Sequence, residues 1–248
     1  MCYGLDAQPP GHGLHGHVAS EADLVLTASD GTRFSARLAR PASPSGRGIV
    51  ILPDARGLYA YYCALARRFA EAGVEAIAID YFGRNAGLTE GRDDDFDLMT
   101  HLRQGKLEDV STDTSAAIAH LRGLATVEEV VTLGFCFGGA MSWRQSADQD
   151  GLAGAIGFYG IPGRTREKIP GMKAPLLLLL AGADAVTPQE EFAKFQQQLS
   201  EAGVKYTAHM YEGAPHSFFD RSYDQWTDAC SDSWTQIFDF MTIPAAAA

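Results

Sequence analysis

Apolar residues fall in short unbroken blocks along much of this chain. Between the blocks they recur every three or four positions. The runs at 48–52, 75–79, 129–134, 153–159, 175–181 and 205–210 are mostly apolar without alternation. A strand covered on both faces has this pattern, because neither side of it meets water. Helical periodicity marks 61–71, 107–124, 139–147, 188–202 and 222–241, and Gly73 and Gly203 fall where two of these runs should stop. Ahead of the first block, 23–27 and 33–38 flank the turn Ser29-Asp30-Gly31, which predicts an antiparallel hairpin.

Strands alternating with helices predict an α/β fold: a single domain with a mainly parallel sheet of roughly eight strands and helices on both faces. No internal repeat or dividing linker is visible. The expected organisation is a flexible segment 1–19, a folded domain 20–243 and a tail 244–248. The stretch 87–103, with Asp93-Asp94-Asp95, reads as a solvated loop that could cover part of a pocket.

Charge and cysteine usage narrow the functional classes. A formal net charge of −11 argues against nucleic acid or an anionic membrane as partner. The N-terminus has neither the basic nor the apolar region of a signal peptide. The longest apolar run, 174–183, is about half the length of a membrane helix. Cys2, Cys63, Cys136 and Cys230 are far apart and show no zinc spacing, which predicts a reducing, cytoplasmic setting. His12, His15 and His17 alternate in a glycine-rich stretch that reads as a tail rather than a metal site. No cofactor motif is present, and monomer and homodimer are equally open.

In a sheet of this kind, ligands bind beyond the carboxyl ends of the strands. There the stretch Gly134-Phe135-Cys136-Phe137-Gly138 has the G-x-S-x-G spacing, with cysteine replacing serine. That spacing builds a tight strand-to-helix turn which exposes the nucleophile, and the helix N-terminus favours a thiolate. The Phe137 N–H points where an oxyanion would form. Two later strand ends carry Asp184 and His216, so the chain order is nucleophile, acid, histidine. Each residue alone has a plainer reading: a buried inert thiol, a loop cap, a turn histidine. The order and placement together favour a triad in which His216 moves the proton and Asp184 holds the imidazole tautomer.

At these residues the chain resembles the dienelactone hydrolase family of α/β-hydrolases. The matching pieces are Gly134 to Gly139, Ala181-Gly182-Ala183-Asp184, Pro215-His216-Ser217-Phe218, Asp54-Ala55-Arg56-Gly57-Leu58 and Asp80-Tyr81-Phe82-Gly83-Arg84. The resemblance implies Cys136, His216 and Asp184 as catalytic residues and the amides of Phe137 and Ala55 as the oxyanion hole. It implies a carboxymethylenebutenolidase-type activity: hydrolysis of a small activated ester or lactone through a thioester. It also places Asp54 where the family carries a longer glutamate that contacts the resting nucleophile. Asp54 is therefore expected to act in the site as a catalytic residue, with a structural cap as its alternative. Of the arginines that hold a substrate carboxylate in the family, Arg84 matches one. The other falls on Asp220, with Arg221 beside it, and Arg56 offers a further charge. Tyr159, Phe137 and Phe218 are expected pocket walls, with core packing as their alternative. Competing readings are a broader carboxylesterase or thioesterase and a non-catalytic thiol sensor on the same scaffold.

Overall fold

A computed structural model describes residues 7–11 and 15–242. Cys2, His12 and the tail 244–248 lie outside the described residues. Among the described residues the strands are β1 (Val18–Thr27), β2 (Arg33–Pro41), β3 (Gly46–Leu52), β4 (Glu75–Ile79), β5 (Val127–Phe135), β6 (Gly154–Phe158), β7 (Leu176–Ala183) and β8 (Tyr206–Pro215). They form one eight-stranded sheet in the order β1-β2-β4-β3-β5-β6-β7-β8. β1 pairs antiparallel with β2, and β2 with β4. Every later pairing is parallel.

The helices are α1 (Ala60–Glu71), α2 (Gly83–Ala86), α3 (Leu98–Gln104), α4 (Leu107–Arg122), α5 (Phe137–Asp148), α6 (Gln189–Glu201) and α7 (Thr227–Phe240). Alternate residues of β3 go to opposite sides. Ile49 and Ile51 join a core with α1 and α7, while Val50 and Leu52 join one with α4, α5 and α6. Burial on both faces explains why the central strands are apolar without alternation. No helix among the described residues is long and apolar enough to cross a membrane.

Three elements differ from the sequence reading. β1 begins at Val18, inside the segment expected to be flexible, and Trp234 Nε1 donates to the Pro10 carbonyl at 2.9 Å. The run 222–241 breaks into a short 3-10 turn, Tyr223–Gln225, and α7. The acidic stretch 87–103 is no simple solvated loop. Arg92 is buried against Asp80 at 2.8 Å, the Asp97 carboxylate caps α3, and Phe96 stacks on His101 at 5.0 Å.

Candidate active site

β5 and α5 meet at Cys136, whose backbone has φ 54° and ψ −113°. For a non-glycine residue this conformation costs on the order of 1–3 kcal/mol, and the surrounding turn must hold it. The glycines show how. A Cβ on Gly134 would lie 1.9 Å from the Gly138 carbonyl oxygen, and one on Gly138 would lie 2.1 Å from the carbonyl oxygens of Leu52 and Pro53. Chain packs against chain on both sides of the turn, with no room for a side chain. The Cys136 N–H donates to the Phe158 carbonyl at 3.0 Å and its own carbonyl accepts from Ala140 at 3.2 Å. The sulfur-bearing residue is left half-buried at the head of α5.

His216 follows β8 and Asp184 follows β7. Their side chains meet at 2.8 Å, His216 Nδ1 to Asp184 Oδ2. The other carboxylate oxygen accepts the Val186 and Thr187 amides at 2.7 and 3.0 Å, so the acid is fixed from both ends. The remaining imidazole nitrogen, Nε2, is buried and has no partner of good hydrogen-bond geometry among the described residues. Cys136 is still close enough to act on the ring. Burial disfavours the imidazolium, but Asp184 and Cys136 outweigh it and raise His216 to about 10.

The Ala55 and Phe137 amides are the expected oxyanion donors. Among the described residues neither donates to a protein acceptor. Their loop is pinned from behind by Tyr81, whose hydroxyl donates to the carbonyls of Pro53, at 2.6 Å, and Asp54. The Tyr81 ring also packs edge-on against Phe137 at 5.4 Å. Tyr81 was legible only as part of a motif; its pinning role depends on two strand ends meeting.

The charged residues around the site are more committed than the sequence implies. Asp54 is buried, and its carboxylate accepts from the Arg56 amide at 2.9 Å, from Arg56 Nη2 at 2.9 Å and from Arg56 Nε at 3.2 Å. Its oxygens thus serve its own loop. Arg56 is buried too, with its guanidinium 4.4 Å from the centre of the Tyr59 ring. Arg84 binds Asp113 at 2.7 Å, Thr32 at 2.9 Å, and also Asp30. It is therefore already neutralised by two carboxylates. Burial pushes Asp113 up to about 6 in spite of that arginine. Arg221 is exposed.

Of the expected pocket walls, Phe218 is corrected. It is fully buried among Tyr211, Tyr159 and Phe158, because the turn after His216 directs it into the core. Tyr159 is also fully buried, yet its ring lies 4.9 Å from the His216 imidazole. Phe137 lines a cavity of about 320 Å³, together with Tyr81 and Phe82, and Arg84, Lys106 and Arg164 form the polar side. Arg164, which the sequence reading passed over, stands 5.4 Å from the Phe137 ring.

Comparisons with known proteins place the chain in a family. The model of the dienelactone hydrolase family matches residues 34–243. A protein named "Putative carboxymethylenebutenolidase" in Saccharolobus solfataricus is 28% identical over 258 residues, covering 88% of this chain and 96% of its own. Protein usf of Aquifex pyrophilus is 25% identical over 219 residues, covering 85% of this chain and 94% of its own. In fold, the chain is similar to a crystal structure from Klebsiella pneumoniae titled a "Putative Dienelactone Hydrolase". The TM-score is 0.74 at 22% identity, over 90% of this chain and 99% of that one. The chain belongs to the dienelactone hydrolase family, hydrolases of carboxylic ester bonds built on the α/β-hydrolase fold.

Proposed function

We propose that this hydrolase cleaves small activated esters or lactones through a thioester on Cys136. The observation that carries the reading is the His216–Asp184 pair at 2.8 Å, facing a cysteine held in a strained strand-to-helix turn. Cys136 attacks the carbonyl carbon. The Ala55 and Phe137 amides receive the oxyanion, a contribution worth about 3 kcal/mol per donor. His216 protonates the leaving alkoxide or enolate, and the thioester forms. The same imidazole then takes a proton from water, hydroxide equivalent adds to the thioester, and the thiolate leaves.

Thiolate is itself a good leaving group. The tetrahedral intermediate therefore expels sulfur in preference to an amine, and activated esters and enol lactones suit the site better than amides. Phe137, whose amide is the proposed oxyanion donor, also lines a cavity of about 320 Å³, and this reading assigns that cavity to part of the substrate. Because Arg84 is bound by Asp113 and Asp30, a carboxylate clamp at that position is not the reading we favour. This supports a broader ester or lactone specificity than dienelactones alone. A thiol sensor needs no histidine–carboxylate pair and is the weaker reading.

The test is turnover of a panel of lactones and short activated esters by the wild type and by Cys136→Ala. Loss of all turnover in the variant is expected. Retained turnover would remove Cys136 as nucleophile.

A further inference from the structure

Two non-glycine residues with positive φ flank the imidazole: Tyr159, at φ 35°, and Ser217, at φ 65°. Tyr159 directly follows β6, and Ser217 opens the turn that carries His216 away from β8. A side-chain hydrogen bond joins the two segments. The Tyr159 hydroxyl donates to Asp220 Oδ2 at 3.1 Å, across 61 residues of chain. Between the ends of that bridge, the tyrosine ring lies 4.9 Å from the imidazole at an angle of 56°. Asp220 closes the turn, its amide donating to the Ser217 carbonyl at 3.2 Å. It is almost wholly buried and stands where the family resemblance expects an arginine.

We infer that Tyr159 and Asp220 are a positioning pair that sets where His216 stands relative to Cys136. The inference rests on the proposed roles of those two residues. Asp184 holds the imidazole at Nδ1 from one side. The tyrosine ring supports it from another, and Asp220 keeps the ring from rotating away. Neither residue of the pair touches the reacting atoms, so the effect passes through His216 alone.

The bridge is also sensitive to pH. Two buried carboxylates, Asp220 and Asp54, share the neighbourhood of one buried guanidinium, Arg56, and Arg56 is bonded to Asp54. Burial first, then the charge of Asp54, raise Asp220 to about 7; the Arg221 amide, Arg56 and the Tyr159 hydroxyl oppose them. From α7 the neighbouring titratable group is Cys230, whose thiol burial and Asp220 push up to about 12. Below about 7 Asp220 carries its proton, and the tyrosine bonds a neutral acceptor. Above it the acceptor is a carboxylate, and the bond is shorter and stronger.

The experiment measures kcat and KM for an activated ester from pH 5.5 to 8.5 in wild type, Tyr159→Phe and Asp220→Asn. In parallel it measures the rate of Cys136 alkylation by iodoacetamide, located by peptide mass spectrometry. In wild type, kcat should rise through an inflection near pH 7. Tyr159→Phe should lower kcat about 10-fold, with KM within about 2-fold, as expected of a misplaced proton-transfer group. Both variants should lack the inflection, in turnover and in alkylation. Asp220→Asn keeps a hydrogen-bond acceptor of the same shape, so its profile decides the question alone if Tyr159→Phe does not fold. A wild-type profile flat between pH 6 and 8, or variants that keep its kcat and inflection, would overturn the inference. If wild type turns over no ester, the proposed function fails, while the alkylation profile still tests the pair.

Discussion

The two sides of the site are built differently. On the nucleophile side, from Gly134 into α5, position is set by backbone. Glycines admit neighbouring carbonyls, one strained residue carries the sulfur, and the amides are left free to bind an oxyanion. On the side formed by residues 54–56, 84 and 220, position is set by charge. Nearly every ionised group there is bonded to another, as Arg56 is to Asp54 and Arg84 to Asp113. The proposed acyl transfer rests on the first kind of construction. The proposed substrate choice would rest on the second, where Asp220 stands in place of the arginine that the family resemblance expects.

If that division is right, changes on the two sides should have different signatures. The largest effect is expected at the acid. Asp184→Asn keeps the size of the side chain but removes the charge that holds the imidazole tautomer, and kcat should fall by about 10³–10⁴-fold, measured with an activated ester. Folding should be little affected, which a thermal melt would check. A smaller loss of activity with a large loss of stability would place Asp184 on the structural side of the comparison instead.

Arg56→Ala should show the reverse. It leaves the Asp54 carboxylate buried without its partner, at a cost of about 3–5 kcal/mol in denaturant unfolding. Stability against pH sharpens the picture for Asp220. Its pKa is raised to about 7 in the folded state, above the 3.8 of an ordinary aspartate. The folded protein therefore binds the extra proton, and stability falls as pH rises from about 4 to about 7. Asp220→Asn should remove that fall, and identical slopes in the two proteins would show that Asp220 does not titrate there.

The smallest effect is expected at Arg84. Its guanidinium serves Asp113 and Asp30, so Arg84→Gln should change kcat/KM by less than about 3-fold on anionic and neutral esters alike. A selective loss on the anionic ester would restore Arg84 as a substrate anchor and break the comparison.

The sequence made the nucleophile side readable and the charged side unreadable for one physical reason. β4 is found at 75–79 as expected, because its apolar run is local and ends at Asp80. Cys136, Asp184 and His216 each follow a strand directly, so their placement could be read once the strands were placed. The partners of Arg84, Arg92 and Tyr159 could not. Asp113 is 29 residues from Arg84 and Asp220 is 61 from Tyr159, and only the strand order brings such pairs together. Phe218 failed for a related reason. It is next but one to His216, but the turn at Ser217 sends it into the core. α3 escaped notice because it is only seven residues long and follows an acidic run, with too few turns to show a period.

The central claim is that Cys136 carries the acyl group. The direct measurement is mass spectrometry of the protein quenched at intervals after mixing with an activated ester, with the adduct located by peptide mapping. The account predicts an acyl group on Cys136 that appears within the first turnovers and decays as substrate runs out. Steady hydrolysis with Cys136 never modified, or with the acyl group on another residue, would contradict it.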